Sequence, residues 1–426
     1  MDQLPEVTPL ESPAGQPAPA AGASPEALAP GPLSGVRVVD LSRVLAGPYC
    51  AQLLADMGAQ VLKVESPGGD ENRRWPPFRD DDDVSANYAA VNRGKRGMTL
   101  DLKADAAPEI LERMVRWADV LIHNFLPDTA ARLGIDYERY AAINPRLVFC
   151  SLSGYGARGP LRDKQGYDLM LQAFSGAMGL TGHAEGGPVR IGVSYVDMAT
   201  GITAYGAIVT ALLARATSGR GACVRASLLE TGVAILGHHV TGWFQGGVVA
   251  SPQGSAAGNL SPYQAFRCSD GYVVAGATND RTFAAFCRAL GCERLLDDPR
   301  FASNALRVDN RAAMNEVLFP VFAGASVGHW VALLDAVGVP TSPVHSVDQV
   351  LAHPQVLAND MVLEATTAEG TTMKVAGVPF KIDGMAAGAG RAAPHLAADT
   401  ELILRDWLGF DAADLARLRA SSVNRP

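Results

Sequence analysis

One carboxylate, Asp197, stands directly before an uncharged run from Met198 to Ala214, inside the glycine-rich stretch 166–216. An uncharged run of this length predicts a buried helix, and an acid before such a run predicts its N-cap. The helix dipole would favour the anion of Asp197, and burial would oppose it. A poorly solvated carboxylate is a candidate nucleophile toward an acyl group. An ordinary helix cap explains the same pattern, so these residues alone leave both interpretations open.

Other groups that could do chemistry are weaker candidates. GYGARG (154–159) matches G-x-G-x-x-G, but Pro160 follows and no helix opens there, which argues against a dinucleotide site. His238-His239 has no third ligand at metal spacing, and the four aspartates at 80–83 predict a solvated loop. We therefore predict no metal site.

The composition is that of a soluble globular protein with a large core. The 426 residues are 48% hydrophobic and 19% charged, with a net charge of −8 and no basic stripe, so we expect no nucleic-acid partner. The six cysteines form no CxxC pair, which fits a reducing cytoplasm. Residues 1–34 are rich in Pro and Ala and lack Lys and Arg, which predicts a disordered tail and not a targeting signal. The run 198–214 is slightly short for a membrane span, so we expect a core helix and no membrane partner.

The elements that would position Asp197 alternate between strand and helix. VRVVDL (36–41), a helix from Ala46, and QVLKVE (60–65) predict a βαβ unit that buries Leu53, Leu54 and Met57. Further strands are predicted at 99–102, 119–125, 146–153 and 222–229, with a helix at 106–117. This alternation indicates an open α/β sheet, whose ligands bind outside the carboxyl ends of the strands.

The second half of the chain has a different pattern. Ser269-Asp270-Gly271 predicts the turn of a hairpin spanning 266–276. Helical patterns follow near 280–290, 311–323 and 328–337, and another lies near 398–408. The middle of this region predicts a smaller α+β domain.

Ten motifs, in order over nearly all of 33–410, resemble the class III CoA-transferases. They include LSGVRVVDLSRVLAGPYC (33–50), GAQVLKVESPGGD (58–70), NRGKRGMTLDLK (92–103), ADVLIHNFLPDTAARLGI (118–135), GYDLMLQAFSGAMGLTG (166–182) and VDMATG (196–201). PVRIGVSYVDMATGITAYGAI (188–208) and the phrase PYQAF…DGYVV look most similar to the succinyl-CoA:glutarate type of dicarboxylate CoA-transferase.

The resemblance implies a fold. It is a Rossmann-like large α/β domain plus a smaller α+β domain, in a homodimer whose two chains interlock as linked rings. On this basis we expect the large domain at 35–230 and 360–426 and the small domain at 260–337, with linkers at 231–259 and 338–359.

The resemblance also implies a mechanism. Asp197 would attack the thioester of succinyl-CoA or a similar acyl-CoA, forming an anhydride and then an aspartyl-CoA thioester, from which a small di- or hydroxycarboxylic acid takes CoA. CoA and acyl-CoA would be substrates, with no permanently bound cofactor. The implied CoA contacts are Arg43, Val44, Ala46, Leu100, Asn124, Arg132 and Leu133, and charge adds Lys95 and Arg96 as phosphate partners. The expected substrate contacts are Arg190, Asp168 and Gly258, with Arg190 as the ligand of a second carboxylate.

The sequence departs from some members of the family. Leu45 stands where formyl-CoA transferases have Gln, and GSAAGN (254–259) replaces their run of glycines, which argues against formyl or oxalate specialisation. The α-methylacyl-CoA racemases share the aspartate but use a Gly-His-Asp triplet, where this chain has Tyr167, a poor acid/base at its ordinary pKa. Racemase and non-catalytic acyl-CoA binding protein are the alternative functions. The motifs do not specify the acceptor acid.

Overall fold

The computed structural model describes residues 31–78, 84–368, 370–385, 388 and 390–420. Most of the predicted tail (1–30) and the aspartates at 80–83 lie outside the described residues. Residues 31–34, which we assigned to the tail, form a turn in which the Leu33 N–H donates to the Met57 carbonyl at 2.8 Å. Residues 31–34 therefore belong to the folded domain and not to the predicted tail, because Leu33 packs partly buried against the core.

Six parallel strands form the central sheet, in the order β3-β2-β1-β4-β5-β6. Their bounds are β1 Arg37–Asp40, β2 Gln60–Glu65, β3 Arg96–Thr99, β4 Val120–His123, β5 Val148–Ser153 and β6 Cys223–Ser227. The α/β prediction is confirmed, although the third strand ends at Thr99, where we expected it to begin. The strand order reverses between β1 and β4, so the loops after these two strands diverge and open a crevice.

Ten helices precede the small domain in the described part of the chain. They are α1 Ala46–Asp56, α2 Ala86–Asn92, α3 Ala107–Trp117, α4 Pro127–Arg132, α5 Tyr137–Ile143, α6 Asp168–Phe174, α7 Ala177–Leu180, α8 Tyr195–Ser218, α9 Leu228–Ile235 and α10 His238–Gly246. α1, α6 and α8 share a core on one face of the sheet, and α3 and α5 share a core on the other. As predicted, α1 and the residue after it bury Leu53, Leu54 and Met57. The segment 231–259 is not simply a linker, because it holds most of α9 and all of α10.

Helix α8 is longer than predicted, with 24 residues, and a third (33%) of its most apolar window is buried within the chain. Its length and composition would suffice to cross a membrane. Gly201 lets the start of α8 approach α1, because a Cβ there would lie 2.8 Å from the Ala46 carbonyl oxygen. The glycine of VDMATG therefore has a packing role, beside the carboxylate that the motif presents.

The small domain is built on the predicted hairpin. Strands β7 Tyr263–Arg267 and β8 Tyr272–Gly276 pair antiparallel, and β9 Thr341–Pro343 adds to β8. Its helices are α11 Asp280–Ala289, α12 Asn304–Asp309, α13 Arg311–Ala323 and α14 Val327–Asp335, with short 3-10 turns at Glu293–Leu295 and Pro299–Phe301. Because β9 completes this sheet, the small domain's sheet extends into the segment 338–359 that we predicted as a linker.

The C-terminal part of the chain returns to the central sheet. Its elements are α15 Val347–Ala352, α16 Pro354–Ala358, β10 Val362–Thr366, β11 Thr372–Ala376, α17 Thr400–Leu402, a π-helical turn Ile403–Trp407 and α18 Ala412–Ala420. Ile403, Leu404 and Phe410 lie in the same core as α3. Trp407 stacks on Trp117 with ring centroids 5.1 Å apart. The two ends of the chain thus enclose one face of the sheet together.

Buried charges lie at the carboxyl end of β1, the strand that Asp40 ends. The Lys95 ammonium donates at 2.8 Å to each of Asp40 Oδ2, the Pro48 carbonyl and Asn92 Oδ1, and its side chain is fully buried. Burial lowers the pKa of Lys95 to about 8, with Asp40 opposing the shift. The expectation that Lys95 binds a phosphate is therefore wrong for this structure, since all three donors are used inside the protein. Arg96, the other expected phosphate partner, pairs with Asp399 at 2.9 Å.

Lys95→Met should destabilise the fold by about 3–5 kcal/mol, because it leaves Asp40 buried without its closest cation. Urea unfolding followed by circular dichroism measures this. Lys103→Met, at an exposed lysine in the loop after β3, is the control and should leave the unfolding midpoint unchanged. Equal stability of the Lys95 and Lys103 variants would contradict the assignment of Lys95 to the interior.

Candidate active site

The loop that follows β1 is held in a strained conformation. Val44 has a φ of 72°, in the left-handed region that β-branched residues rarely adopt. The Asp70 carboxylate accepts the Val44 N–H at 3.2 and 3.3 Å, and Asn72 Nδ2 donates to the Val44 carbonyl at 2.9 Å. Such strain persists only where the surroundings over-determine it, and it is common at functional sites.

Asn124, at the end of β4, holds the neighbouring residue of the same loop. Its Oδ1 accepts the Arg43 N–H at 3.0 Å, and its Nδ2 donates to the Arg43 carbonyl at 2.8 Å. The Asn124 side chain, which we expected to contact CoA, thus uses both its donor group and its acceptor in hydrogen bonds to the protein backbone. Its role in this structure is to join the loops on the two sides of the switch point.

Asp197 lies in the first turn of α8 and is not its N-cap, because the helix begins at Tyr195. The residue is 8% exposed. Burial raises the pKa of its carboxyl to about 7, and the nearby charge of Asp168 raises it further in the same direction. The carboxylate is therefore a stronger base, and a stronger nucleophile when ionised, than an exposed aspartate.

Asp168 caps α8 from outside the helix. Its Oδ1 accepts the N–H groups of Val196 at 2.9 Å and Asp197 at 3.2 Å, while its Oδ2 accepts from Gln172 Nε2 at 2.6 Å. We expected Asp168 to contact substrate. Instead, Oδ1 holds the start of α8 and Oδ2 is bound by Gln172 on α6, so Asp168 positions and perturbs Asp197.

A cavity of about 270 Å³, which we call the Asp197 cavity, opens at the carboxyl end of the sheet. The loops after β1, β4 and β5 and the start of α8 form its wall. Gln165 Nε2 donates to the Tyr167 hydroxyl oxygen at 2.7 Å, which leaves the phenolic hydrogen to donate elsewhere. The cavity thus combines a basic carboxylate with hydrogen-bond donors, an arrangement suited to acyl transfer.

An adjoining groove of about 280 Å³ shares Arg43, Phe125 and Thr129 with the Asp197 cavity. Leu100 and Leu133 supply apolar wall, and Lys103 stands exposed at its edge. The cavity and groove together form an extended channel that ends at Asp197. A long ligand with an apolar arm and an anionic end matches this lining.

The structure brings most of the predicted residues to this channel. The residues that line it are Arg43, Val44, Ala46, Leu100, Asn124, Leu133 and Asp197. Arg132 lies beside it on α4, where it donates to Thr129 Oγ1 at 3.2 Å.

Two expected substrate contacts lie outside the channel. Arg190 is exposed and donates to the Gly192 carbonyl at 2.7 Å. Gly258 is exposed as well, with no atom within 4 Å of a Cβ built on it. Neither residue lines the Asp197 cavity within this chain, because the segments that carry them do not reach the ends of β1, β4 and β5.

Sequence reasoning missed other channel residues, namely Lys103, Arg162, Gln165 and Tyr167. A usable signal existed, because each follows the carboxyl end of a strand of a parallel sheet, where ligands bind. Among the described residues, no group of three or more His, Cys, Asp or Glu is placed to hold a metal ion.

Comparison with known proteins agrees with this geometry. The family described as CoA-transferase family III matches residues 33–400. A succinyl-CoA:glutarate CoA-transferase of Mus musculus is 37% identical over 394 residues, which cover 92% of this chain and 90% of that protein. A succinate–glutarate CoA-transferase of Agrobacterium fabrum is 38% identical over 348 residues, covering 80% and 87%.

A solved structure shows the same fold. The crystal structure of a CAIB/BAIF family protein from Brucella suis superposes with a TM-score of 0.81 at 36% identity, covering 89% of this chain and all (100%) of that one. These matches confirm the resemblance identified from the motifs. This chain belongs to CoA-transferase family III and is an enzyme that transfers CoA.

Proposed function

We propose that this enzyme moves CoA from succinyl-CoA, or a similar acyl-CoA, to a small di- or hydroxycarboxylic acid. Relatives named for succinyl-CoA and glutarate support the substrate class. The observation that carries the mechanism is Asp197, a buried carboxylate of raised pKa at the end of a channel with an apolar arm and a cationic edge.

The reaction would proceed through acyl groups on Asp197. The ionised carboxylate attacks the thioester carbonyl, the C–S bond breaks, and CoA leaves as a thiolate. The thiolate then attacks the aspartyl carbonyl of the anhydride and releases the donor acid, which leaves an aspartyl-CoA thioester. The acceptor carboxylate repeats the sequence in reverse, so each bond formed replaces one of similar energy and no external oxidant or base is consumed.

Water must be kept from these activated intermediates. Asp197 is 8% exposed within the single chain, and the backbone of the β1 loop closes one side of its cavity. The cations Arg43 and Lys103 line the channel, where they would pair with the phosphates of CoA. CoA is a substrate in this scheme, and we propose no resident cofactor.

The racemase alternative lacks its second acid/base. Of the described residues that line the Asp197 cavity, none is a histidine, and Tyr167 occupies the position where the resembling racemases have one. A non-catalytic binding role would leave the raised pKa of Asp197 without a use. We therefore favour transfer over both alternatives, and we place it in a reducing cytoplasm, since five of the six free cysteines are buried.

Asp197→Ala should abolish CoA transfer while leaving the fold and CoA binding intact, because the nucleophile alone is removed. Purified enzyme would be incubated with succinyl-CoA and a panel of carboxylic acids, with new thioesters read by mass spectrometry. Hydroxylamine or borohydride added to the wild-type enzyme with succinyl-CoA should modify Asp197. Substantial turnover by the alanine variant would contradict the mechanism.

The rate should depend on pH through Asp197. Since the carboxylate is the reactive form and its pKa is about 7, kcat/KM for succinyl-CoA should fall about tenfold per pH unit below about pH 6. Asp168→Asn removes the neighbouring negative charge, so the midpoint should move to lower pH. A wild-type midpoint near 4 would contradict the assignment.

Stability provides an independent check of the same pKa. The folded state holds the Asp197 proton more tightly than the unfolded state between about pH 4 and 7, so burial of this carboxylate costs stability as pH rises through that window. Asp197→Asn should therefore be more stable than wild type at pH 8, by at most about 4 kcal/mol, and no more stable at pH 4.

We also propose that the chain acts as the interlocked homodimer that the family resemblance implies. The support is an apolar surface on α8, α10 and the segment that follows, where Leu213, Phe244 and Val249 are 73%, 81% and 78% exposed. Exposed apolar side chains in such number mark an interface. A second copy would cover them and would enclose the half-buried α8.

Dilution should not release monomers within hours, because linked rings separate only by partial unfolding. Sedimentation velocity over a hundredfold dilution series measures this. A monomer that grows reversibly with dilution would show that the two chains are not interlocked. Phe244→Asp, at the most exposed aromatic ring, is the companion variant and should lower the yield of dimer.

A further inference from the structure

A second cavity, of about 300 Å³, opens beside the Asp197 cavity. The two share the lining residues Phe125, Pro127, Ser153 and Arg162. We call it the side cavity. It lies over the carboxyl ends of β4 and β5 and the first half of β6, next to α5, and the proposed reaction assigns it no role.

Three polar side chains stand in a row along the side cavity, from buried His123 to exposed Arg225. His123 on β4 is paired in register with Ser151 on β5, and Ser151 is paired with Arg225 on β6. Side chains in register on adjacent strands point to the same face of a sheet. All three line the side cavity, so the row forms a polar strip along it.

His123 offers this cavity a buried donor. It is 4% exposed, and burial lowers its pKa to about 4, so the ring is neutral at neutral pH. Its Nδ1 accepts the Phe125 N–H at 3.3 Å, which places the ring hydrogen on Nε2. Among the described residues no acceptor meets that N–H. Nε2 is not fully enclosed, so its N–H is open to the side cavity, where a ligand can supply the acceptor.

Two guanidinium groups also line the side cavity. The Arg225 guanidinium forms no ion pair or hydrogen bond with another residue in the part of the chain that the structure describes. Arg162, at the junction with the Asp197 cavity, pairs with its exposed neighbour Asp163 at 3.1 Å. A guanidinium suits a carboxylate, which it can bind through two parallel hydrogen bonds.

Carboxylates are present as well, at the α5 side. Asp136 caps α5 by accepting the Arg139 N–H at 2.8 Å, and both Asp136 and Glu138 are exposed. Ser153 Oγ accepts the Gly156 N–H at 3.2 Å and so has its hydrogen left to donate. Arg225 and Arg162 are exposed like these acids, whereas the less exposed His123 N–H and Ser153 hydroxyl are donors, so the inner part of the cavity favours an anion over a cation.

The proposed reaction gives such a site a use. Two carboxylic acids must reach or leave Asp197 in turn while CoA occupies the adjoining groove. A cavity of about 300 Å³ is too small for a nucleotide with its pantetheine arm but large enough for a short dicarboxylic acid. Because Arg162 lines both cavities, its guanidinium can stay bound to a carboxylate that moves from one cavity to the other.

We propose that the side cavity binds the free carboxylic acid substrate, through Arg225, Arg162 and the His123 N–H, and passes it to the Asp197 cavity. This inference rests on the proposed function, since it concerns the acid that accepts CoA. It makes Arg225 and His123 determinants of acid affinity and not of acyl-CoA affinity.

Arg225→Ala should raise the KM for glutarate by about tenfold or more, as expected for loss of one charged hydrogen-bonding group, with kcat and the KM for succinyl-CoA nearly unchanged. Arg225→Lys keeps the charge and should recover part of the loss. The matched control is Arg220→Ala, an exposed arginine before the other end of β6. His123→Phe keeps an aromatic ring and should act in the same direction as Arg225→Ala.

Direct binding separates this inference from the proposed function. Glutarate would be titrated into CoA-loaded Asp197→Ala enzyme by calorimetry, which requires no turnover, with and without Arg225→Ala. Weaker binding in the double variant supports the site even if glutarate is not an acceptor. Unchanged glutarate affinity, or an equal rise in the KM of succinyl-CoA, would overturn the inference. Absence of transfer by the wild type to any acid would count against the proposed function alone.

Discussion

The shape of the channel depends on the buried ion pair between Lys63 and Asp70. Their charged atoms lie 3.3 Å apart and both side chains are fully buried. Asp70 uses its remaining capacity on the backbone, where it accepts the N–H groups of Val44 and Asn72. The lysine thus neutralises the carboxylate that holds Val44 at a positive φ. Without that carboxylate the valine would relax to an ordinary conformation, and the wall of the channel would move with it.

A buried ion pair of this kind is weak evidence for stability, since desolvation offsets much of its attraction. The Lys63–Asp70 pair matters here because it lies beneath the β1 loop and holds that loop in place. Burial opposes ionisation of Asp40, yet Lys95 and Lys63 together hold the pKa of that carboxyl below its usual value. The two ion pairs, Lys63 with Asp70 and Lys95 with Asp40, form a layer of buried charges under the β1 loop. This layer fixes the backbone of Arg43 and Val44, which line the channel. Removing one member would leave the others buried without compensation, so the layer acts as a unit.

The pKa of Asp197 is shifted in the opposite direction from that of Asp40. It sits in the first turn of α8, where the helix dipole favours an anion, yet burial and the charge of Asp168 raise its pKa to about 7. Desolvation determines the direction of this pKa shift because no described cation pairs with Asp197. A salt bridge would lower the pKa and make the carboxylate a poorer nucleophile. The protein thus pairs the buried carboxylates of Asp40, Asp56, Glu65 and Asp70 with cations and leaves Asp197, the proposed nucleophile, unpaired among the described residues. Unpaired buried charge is a known stability cost of a functional site.

The amino-acid sequence by itself determined the βαβ start, the parallel sheet, the hairpin of the small domain and the position of Asp197. These follow from patterns within a few residues: β-branched runs, a turn triplet, and motifs whose letters match a family. Only the tertiary structure decided whether the side chains of Lys95, Asp168 and Asn124 are free to bind a ligand or are bound to other parts of the protein. Each side chain meets partners that lie far away in sequence, such as Lys95 with Asp40 and Asn124 with Arg43. Whether a charge binds a ligand or another residue depends on which distant groups the fold brings beside it and on how much water it leaves, and no local pattern encodes either.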